Sequence, residues 1–493
     1  MKPKPSLIVA TWLAMAVAAF GAGLAVGDRR EPLPPQPTEE AMGVDGAEMA
    51  VAGATADQPV TTAELAVTLG AFVRMDPDPR ELPSAERELD AGCDDPVVVQ
   101  PPAADFAAVV AEAPERTCFL LEPGRYGFHD VRPKDYMTFL GADRSTVVVA
   151  GTSETENAFS GTATGVTIGR MTITGFQGSG GAKRQEQGAI RGTIAIWRSD
   201  RGQMATHWLI EDIVAADNFA TGVLLGDHFT VRNSVLADNG VAGLGGSETV
   251  GGLVEGNVVR GNGAQQATGY LGNGGGMKFT QAVSPEDPLV IRGNEVHDNT
   301  GIGIWCDIGC DGFHVLDNYI HDQESRAVMF ELSSNALIAG NLLVNTNNWT
   351  DFSRDFNAAA ITIGESSDVV VEDNYIERAD AGIIVRQTRR PVYPQEAFLD
   401  DYEEITLVAD RVHVRRNVLI DTGAMGVSLG RTGRELFPPD ADIRFDANIY
   451  ANPGGVDFWW AGDRFGYAEW QASGRDLGGA TEVPPRPSLP LGP

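Results

Sequence analysis

Positive charge is scarce in this sequence of 493 residues: 37 Lys and Arg residues stand against 68 Asp and Glu residues, a formal net charge of −31 at pH 7. Such an acidic chain repels phosphate backbones, which argues against nucleic acid as a partner. It also repels an anionic polysaccharide unless a local cation or a bound metal reverses the sign. Lysine is the rarer cation, and beyond residue 30 it occurs only at Lys134, Lys183 and Lys278.

Long apolar runs are missing except at the N-terminus, so no later membrane span is expected. Lys2 and Lys4 precede an uncharged stretch, which predicts that residues 1–27 are a signal peptide or a retained membrane anchor. We therefore expect an exported protein, either extracellular or associated with the cell envelope. The remaining flanks are predicted to be a disordered Pro/Ala/Glu-rich linker (28–62), an irregular lead-in (63–94) and a disordered tail (481–493).

Cysteine is also rare, with four residues in the whole chain. An even number in an exported protein favours disulfides, and no zinc-ligand spacing accompanies the four residues. The sequence-near pairings are Cys93 with Cys118 and Cys306 with Cys310, although the sequence alone leaves the connectivity open.

The zinc-peptidase motif HExxH is absent. The chain has 58 glycines but no Gly-X-Y period, which excludes collagen. The glycines at 272–276 do not follow a strand and open a helix, so they do not indicate a nucleotide site.

What the sequence does contain is a recurring alternation of β-branched and apolar residues around a central Asn or small residue. Examples are FTVRNSVLADN (229–239), GLVEGNVVRGN (252–262) and FHVLDNYIHDQ (313–323). Starts at 208, 229 and 252 are 21 and 23 residues apart, and the longer steps elsewhere contain insertions. A period of this size without intervening helices predicts a solenoid of β-strand coils.

The predicted fold is all-β, a right-handed parallel β-helix of about ten three-strand coils over residues 95–480. Short helices at 103–113 and 465–472 are expected to cap its two ends, which would otherwise expose unpaired strand groups. The recurring asparagines are expected to occupy a left-handed turn and to stack their amides from coil to coil. These residues are Asn233, Asn257, Asn294, Asn318, Asn341, Asn374 and Asn417.

Local motifs extend the likeness beyond the repeat. They include CFLLEPGRYGF (118–128), GGGMKF (274–279), VHDNTGIGIWCDI (296–308) and AEWQASGRD (468–476). With them the chain resembles the pectin-lyase-like superfamily of right-handed parallel β-helices, in particular exported bacterial β-helix repeat proteins. The resemblance implies that the protein acts on a carbohydrate. It does not identify the reaction, because that superfamily contains lyases, hydrolases, epimerases and non-catalytic surface proteins.

The third strand of each coil carries the candidate site. Alignment on the small residue that opens this strand predicts an outward column whose members share one register position. The column consists of Lys278, Asp307, Glu331, Gly364, Arg386 and Gly430, with Trp305 and Met329 two residues back on the same face. Gly364 is expected to leave room for a sugar ring, Trp305 to be partly exposed for stacking, and Arg386 to stand about 10 Å from Glu331.

Four interpretations of this column remain open. In a lyase, Asp307 and Glu331 hold Ca²⁺ while Lys278 or Arg386 acts as base. In a hydrolase, Asp307 and Glu331 are the catalytic carboxylate pair. The same column would serve as a groove in a non-catalytic glycan-binding or envelope protein, or it is an ordinary solvated strand face.

Two histidines share a register position on the neighbouring strand, His297 in VHDN and His321 in IHDQ. They are predicted to form a stacked outward pair, with substrate or metal contact as the functional alternative.

Overall fold

A computed structural model describes residues 93–177, 192–196, 204–264, 274–346, 359–388, 408–428, 440–451 and 455–482. For 192–196 it describes the backbone alone. The predicted N-terminal segment, the linker, nearly all of the lead-in, Gly430 and the tail beyond 482 lie outside these residues. In the part that is described, no helix is both long and apolar enough to cross a membrane.

The described strands form three parallel stacks that wind around one apolar core, with one strand of each coil in each stack. The first stack contains β1 (Val97–Val99), β2 (Cys118–Leu121), β4 (Thr138–Gly141), the first halves of β7 (Thr167–Thr174) and β9 (Leu209–Ala216), β11 (Thr230–Arg232), β14 (Leu253–Glu255), β17 (Leu289–Arg292), β20 (Asp311–Leu316), β23 (Ser334–Ala339), β26 (Ser367–Glu372), β29 (Asp410–Arg415) and β32 (Ile443–Asp446).

The second stack continues each coil after a short turn. It contains β3 (Gly124–Tyr126), β5 (Val147–Ala150), the second halves of β7 and β9, β12 (Val235–Ala237), β15 (Val258–Arg260), β18 (Glu295–His297), β21 (Tyr319–His321), β24 (Leu342–Thr346), β27 (Tyr375–Ala379), β30 (Val418–Thr422) and β33 (Ile449–Tyr450).

The third stack closes the coil. It contains β6 (Phe159–Gly161), β8 (Gly192–Ile196), β10 (Thr221–Leu225), β13 (Ala242–Ser247), β16 (Gly275–Thr280), β19 (Ile302–Asp307), β22 (Val328–Glu331), β25 (Ile361–Gly364), β28 (Ile383–Arg386), β31 (Ala424–Ser428) and β34 (Asp457–Trp460). The last strand, β35 (Asp463–Phe465), pairs antiparallel with β34 and ends the stack.

These stacks confirm the right-handed parallel β-helix predicted from the repeat. The first stack has 13 strands in the described residues, somewhat more than about ten, because the coils before residue 166 lack the regular motif from which the prediction was counted. The alternation of strand side chains places apolar residues inside, where Phe313 of the first stack packs against Phe279 and Phe330 of the third stack.

Two short helices cover the ends, as expected. Helix α1 (Phe106–Glu112) inserts Phe106 against Phe119, with ring centroids 5.2 Å apart. Helix α2 (Tyr467–Ala472) buries Trp470 against Phe445 at 5.3 Å. Phe106 and Trp470 thus place large buried aromatic side chains over coil ends that would otherwise be open to water.

Two disulfides are formed, Cys93–Cys118 and Cys306–Cys310. The first ties the start of the described chain to β2, and the second spans the turn between β19 and β20. Both pairs are those that lie close in the sequence.

Asparagine amides stack through the turn between the first and second stacks. The backbone N–H and the Nδ2 of Asn318 both donate to Oδ1 of Asn341 at 3.0 Å, and Nδ2 also donates to the Ile291 carbonyl at 2.9 Å. The same pattern links Asn257, Asn294, Asn318, Asn341, Asn374, Asn417 and Asn448. Because each amide of this ladder is hydrogen-bonded to neighbouring coils, these polar side chains are tolerated inside the solenoid.

The expected backbone geometry of this ladder was wrong in one respect. The left-handed residue is the one before each ladder asparagine, such as Asp317 at φ 54° and Gly340 at φ 67°. Asn233 is itself such a preceding residue at φ 51°, and Ser234 takes the ladder position by donating its backbone N–H to Asn257. The left-handed residue turns the chain so that the following amide points inward.

An acidic residue ends the ladder. Asp476 accepts the backbone N–H and the Nδ2 of Asn448, both at 3.1 Å, and the Tyr450 hydroxyl at 2.5 Å. Burial raises the pKa of Asp476 from 3.8 to about 6, although hydrogen bonds from Tyr450 and Asn448 act to lower it.

This carboxyl should make stability depend on pH. Because its pKa is higher in the folded chain, its contribution to stability is present below about pH 4 and is lost as the pH rises through about 6. We expect the free energy of unfolding to be about 1 kcal/mol greater at pH 5 than at pH 7 from this group. Denaturant titrations of the parent and of Asp476→Asn at the two pH values measure this difference. We expect it to be smaller by that amount in the variant. An unchanged difference in the variant would contradict the assignment.

Candidate active site on the outer face of the third stack

The register of the third stack defines two outward columns that run side by side. One column aligns Lys278, Trp305, Met329, Thr362 and Ile384. The other aligns Thr280, Asp307, Glu331, Gly364, Arg386 and Ser428. Their strand neighbours, including Phe279, Cys306 and Phe330, belong to the core, so both columns face away from it.

The register expected for Lys278 was therefore wrong by two residues. Three consecutive glycines, 274–276, offered several residues for the alignment, and Gly276 rather than Gly274 is the one that lies against Gly303. At the other end, Arg386 pairs with Ser428 rather than with Gly430, which lies outside the described residues. A shift of two keeps a side chain on the same face, so the predicted outward direction of Lys278 still applies.

Lys278 nevertheless reaches the second column with its long side chain. Its Nζ lies 3.1 Å from Oδ2 of Asp307 and 3.5 Å from the centroid of the Trp305 ring. Trp305 is 8% exposed and packs with Ile302 and Met329 in a small apolar cluster outside the main core. The expectation of a partly exposed Trp305, ready to stack on a sugar, is thus wrong, because the Lys278 ammonium occupies its ring face.

The surroundings of Lys278 change its basicity. The residue is 4% exposed, and burial lowers its pKa below the ordinary 10.5, although the nearby Asp307 carboxylate acts to raise it. Loss of hydration penalises the ammonium more than Asp307 stabilises it. The Asp307 side chain is 14% exposed, so it is the more accessible partner.

A second ion cluster lies further along the column. The Arg386 Nη2 donates to Oε1 of Glu331 at 2.6 Å and to Oε2 of Glu365 at 3.1 Å. All three side chains are at least nine-tenths buried. Charge-assisted bonds in such surroundings are strong once formed and costly to break.

Gly364 makes this cluster possible, and it corrects two expectations. A Cβ added at Gly364 would lie 2.8 Å from Arg386 Nη2, so the space predicted for a sugar ring is filled by the guanidinium. Arg386 starts two strands away from Glu331, yet its side chain crosses that space to contact the carboxylate directly instead of standing about 10 Å away.

Glu365 was not among the residues expected at this site. This residue follows β25 at φ 45°, in the left-handed turn, and its Oε1 accepts both the backbone N–H of Thr388 at 2.7 Å and its hydroxyl at 2.5 Å. Strand alternation says nothing about side chains in such a turn. One indication was present in the sequence. Glu365 directly follows Gly364, which is the column position between Glu331 and Arg386.

Asp307 and Glu331 are cross-strand partners, as the alignment predicted. Each carboxylate contacts a different cation, Lys278 for Asp307 and Arg386 for Glu331. The strip thus contains a Lys278–Asp307 pair and an Arg386–Glu331 pair that start on adjacent, in-register positions.

His297 and His321 lie elsewhere, on β18 and β21 of the second stack. Their rings are parallel within 5° with centroids 4.7 Å apart, which matches the expected stacked pair. They are not brought together with Lys278 and Asp307 on the third-stack strip.

Comparisons with known proteins agree with the fold. The sequence matches the family described as "Right handed beta helix region" over residues 194–353. No curated protein matches the chain.

Similar solved structures include the catalytic domain of a GH87 alpha-1,3-glucanase in complex with nigerose, with a TM-score of 0.54 and 12% identity over 79% of this chain and 68% of that one. Another is the catalytic unit of a thermostable GH87 alpha-1,3-glucanase from Streptomyces thermodiastaticus, with a TM-score of 0.52 and 14% identity over 80% and 67%. A third is a mannuronic acid specific polysaccharide family 6 lyase from human gut microbiota, with a TM-score of 0.53 and 14% identity over 74% and 82%. At such identities the likeness concerns the fold alone, and at that level the expected right-handed β-helix is confirmed.

Proposed function

We propose that this right-handed β-helix protein is an exported polysaccharide lyase that uses the charged strip of the third stack. The observation that carries the proposal is Lys278, a buried lysine whose pKa is lowered, held between Trp305 and the partly exposed Asp307. Lysines with a lowered pKa can act as general bases near neutral pH, and such groups are concentrated at functional sites. Similarity to a mannuronic acid lyase and to alpha-1,3-glucanases supports a polysaccharide as the substrate class.

The reaction needs one base and one route for the proton. The neutral Lys278 amine takes the proton from the carbon next to a uronate carboxylate. The bond from the adjacent carbon to the glycosidic oxygen then breaks, a carbon–carbon double bond forms, and the leaving oxygen takes the proton back from the Lys278 ammonium. Asp307 orients the ammonium through its 3.1 Å contact.

Arg386 supplies the other positive charge of the strip. Its proposed role is to counter the negative charge that develops on the uronate during proton abstraction. Glu331 and Glu365 hold the guanidinium at 2.6 and 3.1 Å, which makes them positioning residues in this scheme.

Hydrolysis is the second candidate, because Asp307 and Glu331 are in register on adjacent strands about 4.8 Å apart. That spacing is closer to the carboxylate separation of retaining glycosidases than to that of inverting ones. Each carboxylate already contacts a basic side chain, Asp307 with Lys278 and Glu331 with Arg386, so neither is placed as an acid for a glycosidic oxygen and hydrolysis is the weaker proposal. Glycan binding without turnover is the non-catalytic alternative.

Calcium fits this strip poorly. Asp307 and Glu331 have oxygen donors of the type that Ca²⁺ prefers, but each already contacts a cationic side chain. An ion bound by both would have to displace Lys278 or Arg386, so the proposed reaction runs without one.

Export is proposed on two grounds. Both cysteine pairs form disulfides, which persist in oxidising compartments. Residues 1–27 have the composition of a signal peptide or a membrane anchor.

A glycan screen tests the proposal. The protein, with and without a chelator, is incubated with uronate-containing and with neutral polysaccharides. We expect ultraviolet absorbance from an unsaturated product with a uronate polymer, unaffected by the chelator. The initial rate should rise with added salt, because the net charge of −31 repels an anionic polymer and salt screens that repulsion. New reducing ends without absorbance would establish hydrolysis instead, and binding without either product would establish the non-catalytic alternative.

A further inference from the structure

Two consecutive coils repeat the dipeptide His-Asp at the end of the second-stack strand. His297 ends β18 and His321 ends β21, and each is followed by an aspartate in the left-handed conformation, Asp298 at φ 52° and Asp322 at φ 49°. The left-handed turn directs each carboxylate back to its own histidine. Nδ1 of His297 lies 2.7 Å from Asp298 Oδ2, and Nδ1 of His321 lies 2.8 Å from Asp322 Oδ2.

These contacts fix the chemistry of the two rings. A carboxylate on Nδ1 favours the tautomer with hydrogen on Nδ1, so that Nε2 is the lone-pair nitrogen of the neutral ring. Histidines that ligate metals usually donate their other ring N–H to a carboxylate or carbonyl in this manner. Because the rings are parallel within 5° and 4.7 Å apart, their corresponding atoms follow one another from coil to coil.

A third donor lies beside the pair. Oε1 of Glu295, at the start of β18, is 3.3 Å from Nε2 of His321. Two ligands at tetrahedral angles around an ion with bonds of about 2.0–2.1 Å are separated by about 3.4 Å, so this pair already has the required spacing. One ligand atom from each of Glu295, His297 and His321 lies within 4.8 Å of the others.

The trio is set apart from the rest of the described chain. No other group of three His, Cys, Asp or Glu residues there brings ligand atoms as close together. A second stacked histidine pair, His207 and His228 at 4.9 Å, has Asp287 Oδ2 3.0 Å from Nδ1 of His228, but these three residues do not bring one ligand atom each within 4.8 Å of one another. The His297 and His321 side chains are 18% and 14% exposed and Glu295 is 45% exposed, so an ion from solvent can reach them.

We propose that Glu295, His297 and His321 form a binding site for a divalent transition metal, with Zn²⁺ as its typical occupant and water completing the coordination. Two imidazoles and one carboxylate suit zinc better than calcium or magnesium, which prefer oxygen ligands throughout. Asp298 and Asp322 support the two histidines and add negative charge. The site is on the second stack and is independent of the proposed lyase reaction, which needs no metal.

Calorimetric titration of the untagged, metal-free chain with Zn²⁺ tests this proposal. We expect binding of one ion per chain. His321→Asn and Glu295→Gln should each raise the Kd by about tenfold or more, and Asp322→Asn should raise it by about tenfold through its effect on His321. His228→Asn is the matched control in the other stacked pair and should leave the Kd unchanged.

A second measurement reports on the ligands directly. Co²⁺ bound at the site should give visible absorption bands of a four-coordinate ion, and His297→Asn should abolish them while its far-ultraviolet circular dichroism stays that of the parent. Absence of Zn²⁺ binding by the parent chain would overturn the proposal. So would equal binding by the parent and the His321→Asn and Glu295→Gln variants, or a loss in His228→Asn as large as that in His321→Asn. Absence of polysaccharide turnover in a parent chain that does bind Zn²⁺ would count against the lyase proposal alone.

Discussion

Lys278→Met is expected to reduce polysaccharide turnover by about 100-fold or more while leaving the fold intact. A general base contributes on the order of 10²–10⁴-fold to a rate, and methionine fills nearly the same space over Trp305 without a nitrogen. The variant also removes a desolvated charge, and the partly exposed Asp307 that remains can be hydrated. We therefore expect the free energy of unfolding to change by about 1 kcal/mol or less.

Paired measurements of turnover and of denaturant unfolding separate chemistry from stability. Thr280→Val, on the same strand and outward face, serves as the control, since Thr280 lies opposite Asp307 in the register but is uncharged and donates its hydroxyl to Ser247. It should retain the parent rate. Parental turnover in Lys278→Met would remove Lys278 from the mechanism and leave the Lys278–Asp307 pair a structural contact.

Arg386→Met should destabilise the protein by about 3–5 kcal/mol, because two buried carboxylates, Glu331 and Glu365, then lose a cation that both contact. Such a value is a large part of the stability of an ordinary domain. Glu331→Gln should also destabilise, since Glu331 is 3% exposed and not on a solvated face. Equilibrium denaturation of each variant against the parent measures both effects.

An exposed pair provides the matched control for Arg386. Arg411 contacts Asp368 through two hydrogen bonds across the first stack, but both side chains are about half exposed. Arg411→Met should change the free energy of unfolding by at most about 1 kcal/mol. If the Arg386 and Arg411 variants lose equal stability, burial does not increase the contribution of the Arg386 cluster to the free energy of unfolding.

The direction of side chains was readable from the sequence where strand alternation is strict. Asp307 directly follows the core residue Cys306, and the structure confirms that Cys306 faces in and Asp307 faces out. Register was readable where one small residue marks the strand start, as for Asp307 opposite Glu331. It failed at glycines 274–276, because a run of identical small residues marks no single position.

The sequence by itself determined the β-helix, since a repeat of 21–24 residues with inward apolar positions and one recurring asparagine per coil has few other ways to bury its core and satisfy its amides. It also determined which face of the third stack bears the charged residues. Only the tertiary structure decided which charges meet: Arg386 reaches Glu331 across Gly364, Glu365 enters from a turn, and Lys278 covers Trp305. Strand periodicity determines the position and face of the Cα–Cβ bond of a residue. A long flexible side chain can then contact any group within its reach, and for Arg386 those groups lie 21 and 55 residues away in the sequence.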